Sequence, residues 1–520
     1  MNLIDYIDRG VRIRPNAPCM VRSDGSEIYT HASFSRLTEQ IAAALHTDGL
    51  APGERVAIYS PNDADAFACV IGVIRAGGIW TAVNAASRPA EIAAFLNLVG
   101  CNRLIYHADL SEHIDELLQH VPTITSVISI GSGQRDDLAL DTWIASADEY
   151  RPPHGRNPED IAVLAPTGGT TGTPKAVPAS HRQLVLMCLA HNTHLAEPEP
   201  PRYVCATPMT HAAGMAAFPV LAEGGQVIIH RGVNAPEIFG SIERNRATRI
   251  FLPPTALYAL LAHPDVLHTN FSSLRHFLLA AAPVAPERLA EAVNIFGPVM
   301  TQVFGQAEAP FVCTILTAEE IADATKDASL RHRLASCGRP SVVARVEIMG
   351  EDGHLLGVNE QGEIVIRSDL VFSGYWNNPN ASAETRRAGD WHGTGDIGYR
   401  DKDGFIYILD RKKDLIITGG FNVYPSEVEA VLHTLPSIND CAVIGIPDDK
   451  WGEAVTAFVE VKDGHDIDPD EVIAACKKAL GSVKAPKAVH IQDDLPRSPV
   501  GKVLRRELRE KYWNHLERKV

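Results

Sequence analysis

The sequence predicts an α/β protein: a large N-terminal domain with parallel-rich sheets, followed by a small C-terminal α/β domain. Three observations carry this. The chain has 520 residues, more than one hydrophobic core sustains, since single cores stop growing at roughly 250–300 residues. Short β-rich runs alternate with helical patterns through the first half, the order that builds layers with largely parallel sheets. The same alternation restarts on a smaller scale after a charged run, Asp410-Arg411-Lys412-Lys413. The expected domains are therefore 1–410 and 411–520.

Taken in order, Arg55–Ser60 reads as a buried strand, and Pro61-Asn62-Asp63 opens a helix that runs to about Ala76. Gly77-Gly78 ends it, because glycine accepts the left-handed φ of a helix C-terminus. Ile79–Val83 is strand-like, Arg88–Leu98 amphipathic, and Arg103–His107 another strand. Ile161–Ala165 is a further strand-like run. Near the C-terminus, Pro425 and Ser426 open a helix with Val428, Val431 and Leu432 on one face. Strands at Cys441–Ile446 and Val455–Val461, a helix from Pro469 to Leu480 and a strand at Ala488–Ile491 complete the small domain. The charged run joins Phe405–Leu409 to Leu415-Ile416-Ile417, and reads either as a solvated turn or as an interdomain hinge.

Charge and composition exclude several classes. Lys plus Arg is 48 and Asp plus Glu 64, a net charge of −16. That disfavours nucleic acid, which needs a basic surface for its phosphates, but not small anions held by local Lys and Arg. Nine cysteines are scattered with no C-x-x-C pair, as in a cytoplasmic protein with reduced thiols. The start, MNLIDYIDRG, is too acidic and too short of apolar residues for a signal peptide. The most apolar stretch, Ala66–Val83, is interrupted by Arg75, Thr81 and three glycines, so no integral membrane segment is expected.

The chemistry concentrates in Thr167-Gly168-Gly169-Thr170-Thr171-Gly172-Thr173-Pro174-Lys175. Glycines let the backbone approach a ligand closely. Threonine hydroxyls and the lysine ammonium can then bind phosphate oxygens. It is not a Walker A loop, because Pro174 precedes the lysine and Ala176 stands where that motif needs Ser or Thr. His191-x-x-His194 has no third metal ligand nearby in sequence, and no G-x-S-x-G elbow occurs.

The Thr167–Lys175 segment resembles the phosphate-binding loop of the adenylate-forming superfamily, which includes acyl-CoA synthetases, peptide-synthetase adenylation domains and luciferases. The family usually has Ser at the place of Gly168 and Gly at that of Ala176. Further matches follow in the family's order: Pro208-Met209-Thr210-His211, Gln302–Glu308, Gly374-Tyr375-Trp376, Thr394-Gly395-Asp396, Asp410–Asp414 and Pro496–Lys502. The resemblance spans nearly the whole chain. It implies a layered N-terminal domain, a mobile C-terminal domain, and an ATP-dependent acyl-CoA ligase working through acyl-AMP. Delivery of the acid to a carrier protein, or a nucleotide-binding relative without catalysis, are the alternatives.

Residue roles are likewise implied by the resemblance. Thr167, Gly168, Gly169, Thr170, Thr171, Gly172 and Lys175 would cradle the ATP phosphates. Phe304 would stand against the adenine, and Asp396 and Arg411 would hold the ribose. Glu308 would hold Mg²⁺. Ala307 replaces a threonine that touches the α-phosphate in relatives. Lys502 would reach the substrate carboxylate and α-phosphate, and His211 would line the acyl pocket beside the CoA path. Ala212, Ala213 and Ala281 would leave room for a bulky apolar acid. No Asp lies between Pro208 and Gly214, which disfavours an amino-acid substrate. Lys413 matches the family hinge. The expected partners are the acid, ATP and CoA, a protein acetyltransferase acting on Lys502, and a second copy of the chain.

Overall fold

A computed structural model describes residues 1–131, 135–152, 157–167, 174–448, 450–462, 464–497 and 503–513. The chain divides into two units, Met1–Arg345 with Arg367–Arg386, and Val346–Ile366 with the chain from Arg387 onward.

In the first unit, the strand Arg55–Tyr59 buries Val56, Ala57, Ile58 and Tyr59 in succession. A continuous apolar strand of this kind belongs in the middle of a sheet covered on both faces. Its sheet has seven strands, in the order Leu138–Ala139, Ser126–Ile130, Arg103–His107, Arg55–Tyr59, Ile79–Ala82, Ile161–Thr167 and Lys175–Ser180. Neighbours are parallel except the last pair, an antiparallel hairpin. A second sheet of nine strands has a parallel centre: Pro18–Arg22, Gln226–Ile229, Arg202–Cys205, Arg249–Leu252, His276–Leu279 and Met300–Gln306. Its outer strands are antiparallel.

Helix Ala64–Ala76 is buried at every position but Asp65. Asp63 caps its start by accepting from Asp65 and Ala66 N–H, and Gly77 at φ +85° closes it. Helix Ala212–Ala222 is almost as fully buried. A helix apolar all round needs neighbours on every side. One core supplies them, joining these helices to Val56, Ile58 and Trp80 of the first sheet and to Cys19, Tyr203 and Val227 of the second. The opposite face of the seven-stranded sheet packs Ala57, Tyr59 and Leu104 against Ile92, Phe95 and Leu96 of helix Pro89–Val99. All nine cysteines are buried, and burial pushes the Cys205 and Cys313 thiols up to about 12.

The second unit has two five-stranded sheets. The first is built on Arg345–Met349, Gly362–Arg367, Trp391–Arg400 and Ile406–Arg411. The other centres on the long hairpin Ile438–Asp448 and Gly452–Val461. Its side chains alternate between two cores, as a strand's period of two requires. Val443, Val455, Ala457 and Val459 pack on helices Pro425–Leu432 and Pro469–Lys484. Ala442, Ile444 and Phe458 pack on Leu508 of helix Arg505–Trp513. The expected helix end at Leu480 is a break rather than a stop: Gly481 takes φ +80° and a last turn reaches Lys484. Among the described residues no helix is long and apolar enough to cross a membrane.

Candidate active site

Strands Ile161–Thr167 and Lys175–Ser180 place Thr167 directly opposite Lys175. These two residues therefore form the mouth of the glycine- and threonine-rich loop. Gly168, Gly169, Thr170, Thr171 and Gly172 themselves lie outside the described residues. Lys175 Nζ sits 4.8 Å from the centre of the Tyr375 ring, a cation held against an aromatic face. Tyr375 Oη donates a 2.6 Å hydrogen bond to Glu308 Oε1. One aromatic side chain thus links the loop's lysine to the candidate metal carboxylate. The Tyr375 segment is fixed by its backbone: Trp376 N–H donates to Ala176 O (2.9 Å) and Phe372 N–H to Glu308 O (2.8 Å). Gly374 takes φ +141°, and a Cβ there would lie 2.8 Å from Ser382 Oγ.

Glu308 projects from a two-residue turn. Gln306 pairs with Ala309 across the hairpin Met300–Gln306 and Ala309–Leu316, which leaves Ala307 exposed and Glu308 buried. Phe304 is half-buried on the first of these strands. The strands Arg202–Cys205, Arg249–Leu252, His276–Leu279 and Met300–Gln306 run parallel. Their carboxyl ends therefore share one edge, the edge at which open α/β sheets bind ligands. Thr207–His211, Ala280–Ala282 and Glu308 all follow directly from these ends.

Thr207–His211 is pinned by Asn62, whose amide donates to Thr207 O (2.9 Å) and His230 O (2.8 Å) and accepts from Met209 N–H (2.7 Å). Gly214 must be glycine, since a Cβ would sit 2.0 Å from Met209 O. Ala212 is half-buried and Ala213 buried at the start of the following helix. Burial lowers the His211 pKa, so its imidazole is neutral at pH 7. Ala281 takes φ +74°, a left-handed conformation that costs a side-chain-bearing residue on the order of 1 kcal/mol. His191 is buried beside Arg249 and Phe311.

In the second unit, Asp396 and Arg411 face each other across paired strands. Arg411 Nε lies 3.0 Å from Asp396 Oδ1; the carboxylate is buried and the guanidinium 45% exposed. Glu363, on the neighbouring strand, holds the stretch just before Asp396. Its carboxylate accepts from Gly395 N–H (3.1 Å) and takes both arms of the Arg387 fork. Thr394 Oγ1 donates to Ile364 O and accepts from Asp396 N–H. Lys413 lies in the single turn Lys412–Asp414. Lys502 lies outside the described residues. The neck of its loop does not: Leu504 N–H donates to Pro496 O (2.7 Å), and Arg497 pairs with Val503.

Sequence reasoning gave no role to Tyr375, Asn62, Glu363 or Arg387. Tyr375 sits in a motif already singled out, so a signal existed. The partners of the other three are distant in sequence. The residues present fit Mg²⁺, which takes one or two carboxylates plus substrate phosphates rather than a protein cage. The Glu308 oxygens keep lone pairs beyond the one Tyr375 occupies. Among the described residues no group of three or more His, Cys, Asp and Glu is placed to hold a metal.

A lysine at the end of a glycine- and threonine-rich segment, joined through Tyr375 to a buried carboxylate on a fold of layered sheets with a further α/β unit, is what an adenylate-forming enzyme requires. The chain belongs to the family of AMP-binding enzymes: that family's model matches residues 7–376, and the model for the C-terminal domain of AMP-binding enzymes matches 427–502. It is an AMP-forming acid–thiol ligase. The medium/long-chain-fatty-acid–CoA ligase FadD8 of Mycobacterium tuberculosis (strain ATCC 25618 / H37Rv) is 36% identical over 95% of this chain and 88% of its own. Feruloyl-CoA synthase of an Amycolatopsis species is 34% identical over 97% and 98%. Among solved structures, the amide bond synthetase McbA of Marinactinospora thermotolerans superposes with a TM-score of 0.87 at 30% identity, covering 98% of this chain and 100% of that one. ATP-bound MatB of Rhodopseudomonas palustris gives 0.88 at 27% identity, covering 99% and 100%.

Proposed function

We propose that this ligase activates a medium-sized to large, uncharged apolar or aryl carboxylic acid and passes it to CoA. The observation that carries the reading is the Lys175–Tyr375–Glu308 chain, because it ties a phosphate-binding lysine to a carboxylate suited to Mg²⁺. In the first half-reaction a carboxylate oxygen of the acid attacks the ATP α-phosphorus, and the bond to pyrophosphate breaks. In the second, the CoA thiolate attacks the acyl carbonyl and AMP leaves. Two steps are needed because a free carboxylate is a poor electrophile and AMP is a good leaving group.

In this reading Lys175 and the Thr167 loop orient the β- and γ-phosphates, and Phe304 faces the adenine. Asp396 accepts from the ribose hydroxyls with Arg411 beside it. When bound through Glu308, Mg²⁺ supplies neutralising charge at the phosphates. Lys502 meets the charge developing at the α-phosphate, an electrostatic role most effective in a dry site. Neutral His211, with Ala212, Ala213 and Ala281, lines the acyl pocket; the relatives named for fatty and feruloyl acids support an apolar or aryl substrate. The region beyond Lys413 pivots at that residue between the two steps. The enzyme works in the cytoplasm, as a homodimer, and acetylation of Lys502 by a protein acetyltransferase switches adenylation off by removing its charge.

The test is pyrophosphate release with a panel of fatty, aryl, alicyclic and amino acids, each with and without CoA. Release with apolar or aryl acids, with CoA consumed stoichiometrically, is the expected result. Release that CoA does not turn into thioester points to a carrier protein or an amine as acceptor, and no release with any acid overturns the reading.

A further inference from the structure

Arginines stand in the described chain on either side of residues 498–502, among which Lys502 lies, and the two are anchored differently. Before them, Arg497 reaches Asp440 (2.7 Å) and Glu460 (2.8 Å), both on the C-terminal sheet. After them, Arg505 opens the last helix three residues after Lys502. Its Nη1 lies 3.1 Å from Asp410 and 3.5 Å from Asp414, while Nε and Nη2 bind Glu429. Arg509 adds a 3.1 Å contact to Asp414. The second oxygen of Asp410 accepts from Ser426 N–H at 2.8 Å. Two of the Arg505 partners thus bracket Lys413: Asp410 on the strand before it and Asp414 immediately after.

The cluster is costly to assemble for stability alone, because buried ion pairs gain little over the desolvation they require. The three carboxylates are 3%, 12% and 15% exposed. Burial works against the Arg505 charge, but the carboxylates of Glu429 and Asp410 outweigh it and raise its pKa. Asp414 is held below its ordinary range by Arg505 and Arg509, against the opposing effect of burial. The arrangement also has a direction. Asp414, Glu429 and Ser426 follow Lys413 in the chain and travel with Arg505 in any rotation about that residue. The contacts of Asp410 with Arg505 and Ser426 span the pivot, so rotation breaks them.

We propose that Arg505 is a positioning residue for adenylation: closing its arm to Asp410 sets the start of helix Arg505–Trp513, three residues after Lys502, against the strand before the pivot, and turning about Lys413 opens that arm for the second step. This rests on the readings of Lys502 and Lys413 given above.

The experiment uses the full chain and the variants Lys502→Ala, Arg505→Gln, Arg505→Lys and Asp410→Asn. Adenylation is followed by ATP–pyrophosphate exchange, and the second step by thioester formation from supplied acyl-AMP and CoA. Arg505→Gln should lower kcat for exchange roughly tenfold, within the 10²-fold that a misplacement of about 1 Å costs. KM for ATP and the second-step rate should stay within about twofold. Asp410→Asn should shift the same rate in the same direction by a smaller factor, and Arg505→Lys, which keeps charge but loses the fork, should recover part of it. Loss of exchange in Lys502→Ala with no effect in Arg505→Gln and Asp410→Asn, or with equal losses in both steps, overturns the positioning role and leaves the Lys502 reading intact. Full exchange in Lys502→Ala overturns that reading and this proposal with it. If Arg505→Gln does not fold, Asp410→Asn, in which Arg505 keeps Asp414 and Glu429, decides by the same criteria.

Discussion

Tyr375 has two separable halves, a ring under Lys175 and a hydroxyl on Glu308. Tyr375→Phe removes only the hydroxyl. A buried carboxylate that loses a donor costs about 1–3 kcal/mol, so kcat/KM for adenylation should fall by about tenfold or more while the lysine keeps its aromatic face. The Mg²⁺ concentration giving half-maximal rate should rise, because Glu308 is then free to turn away. Pyrophosphate release across a Mg²⁺ titration measures both, and an unchanged titration with an unchanged rate would remove Tyr375 from the machinery. At this scale the sequence was partly legible. Thr167, Lys175 and Glu308 sit in motifs dense enough to read, whereas the bond from Tyr375 to Glu308 joins residues 67 positions apart. Asn62, Glu363 and Arg387 were illegible for the same reason, since an isolated polar residue gives no sign of which distant backbone it will hold.

The elements follow local rules, and that is why they could be read. Arg103–His107 is a strand with the expected bounds. The helix after Asp63 stops at Gly77, and the helix opened by Pro425 ends at Leu432. The pairing of strands was not legible, because the parallel order of the sheets depends on which apolar faces find each other across the core. Between the two sheets of the second unit lies the turn Lys412–Asp414. Lys413→Pro fixes φ and removes an N–H there. If the region beyond it must turn between half-reactions, pyrophosphate exchange should survive while acyl-CoA formation falls by an order of magnitude. A melting curve controls for damage to the fold. A folded variant that keeps both rates would show that Lys413 is not the pivot.

The molecule as a whole carries several histidines that burial keeps neutral. His230 and His276 are both lowered to about 4, mainly by desolvation. Between the ordinary value of 6.5 and that figure, the unfolded chain binds protons that the folded chain refuses. Unfolding free energy therefore falls as pH falls through this window. At about 1.4 kcal/mol per unit, His230 alone removes on the order of 3 kcal/mol by pH 4. Urea midpoints at pH 7.5, 6 and 5 should drop progressively, and His230→Asn should lessen the slope whatever it does to the midpoint at pH 7.5. Parallel curves for the two proteins would exclude His230 as a source of the acid sensitivity.

An enzyme that makes acyl-AMP manufactures an acylating agent inside itself and depends on one foreign thiol to collect the product. Each of its own nine cysteine thiols would be a rival, and all nine lie buried. Those of Cys205 and Cys313, raised to about 12, hold almost no thiolate at neutral pH, and the thiolate is the nucleophile. The scatter of cysteines through the core is thus a form of chemical hygiene. Incubated with acid and ATP but no CoA, the protein should keep its intact mass, with no acyl adduct on any cysteine by mass spectrometry. An acylated cysteine in the folded enzyme would show that burial alone does not protect it.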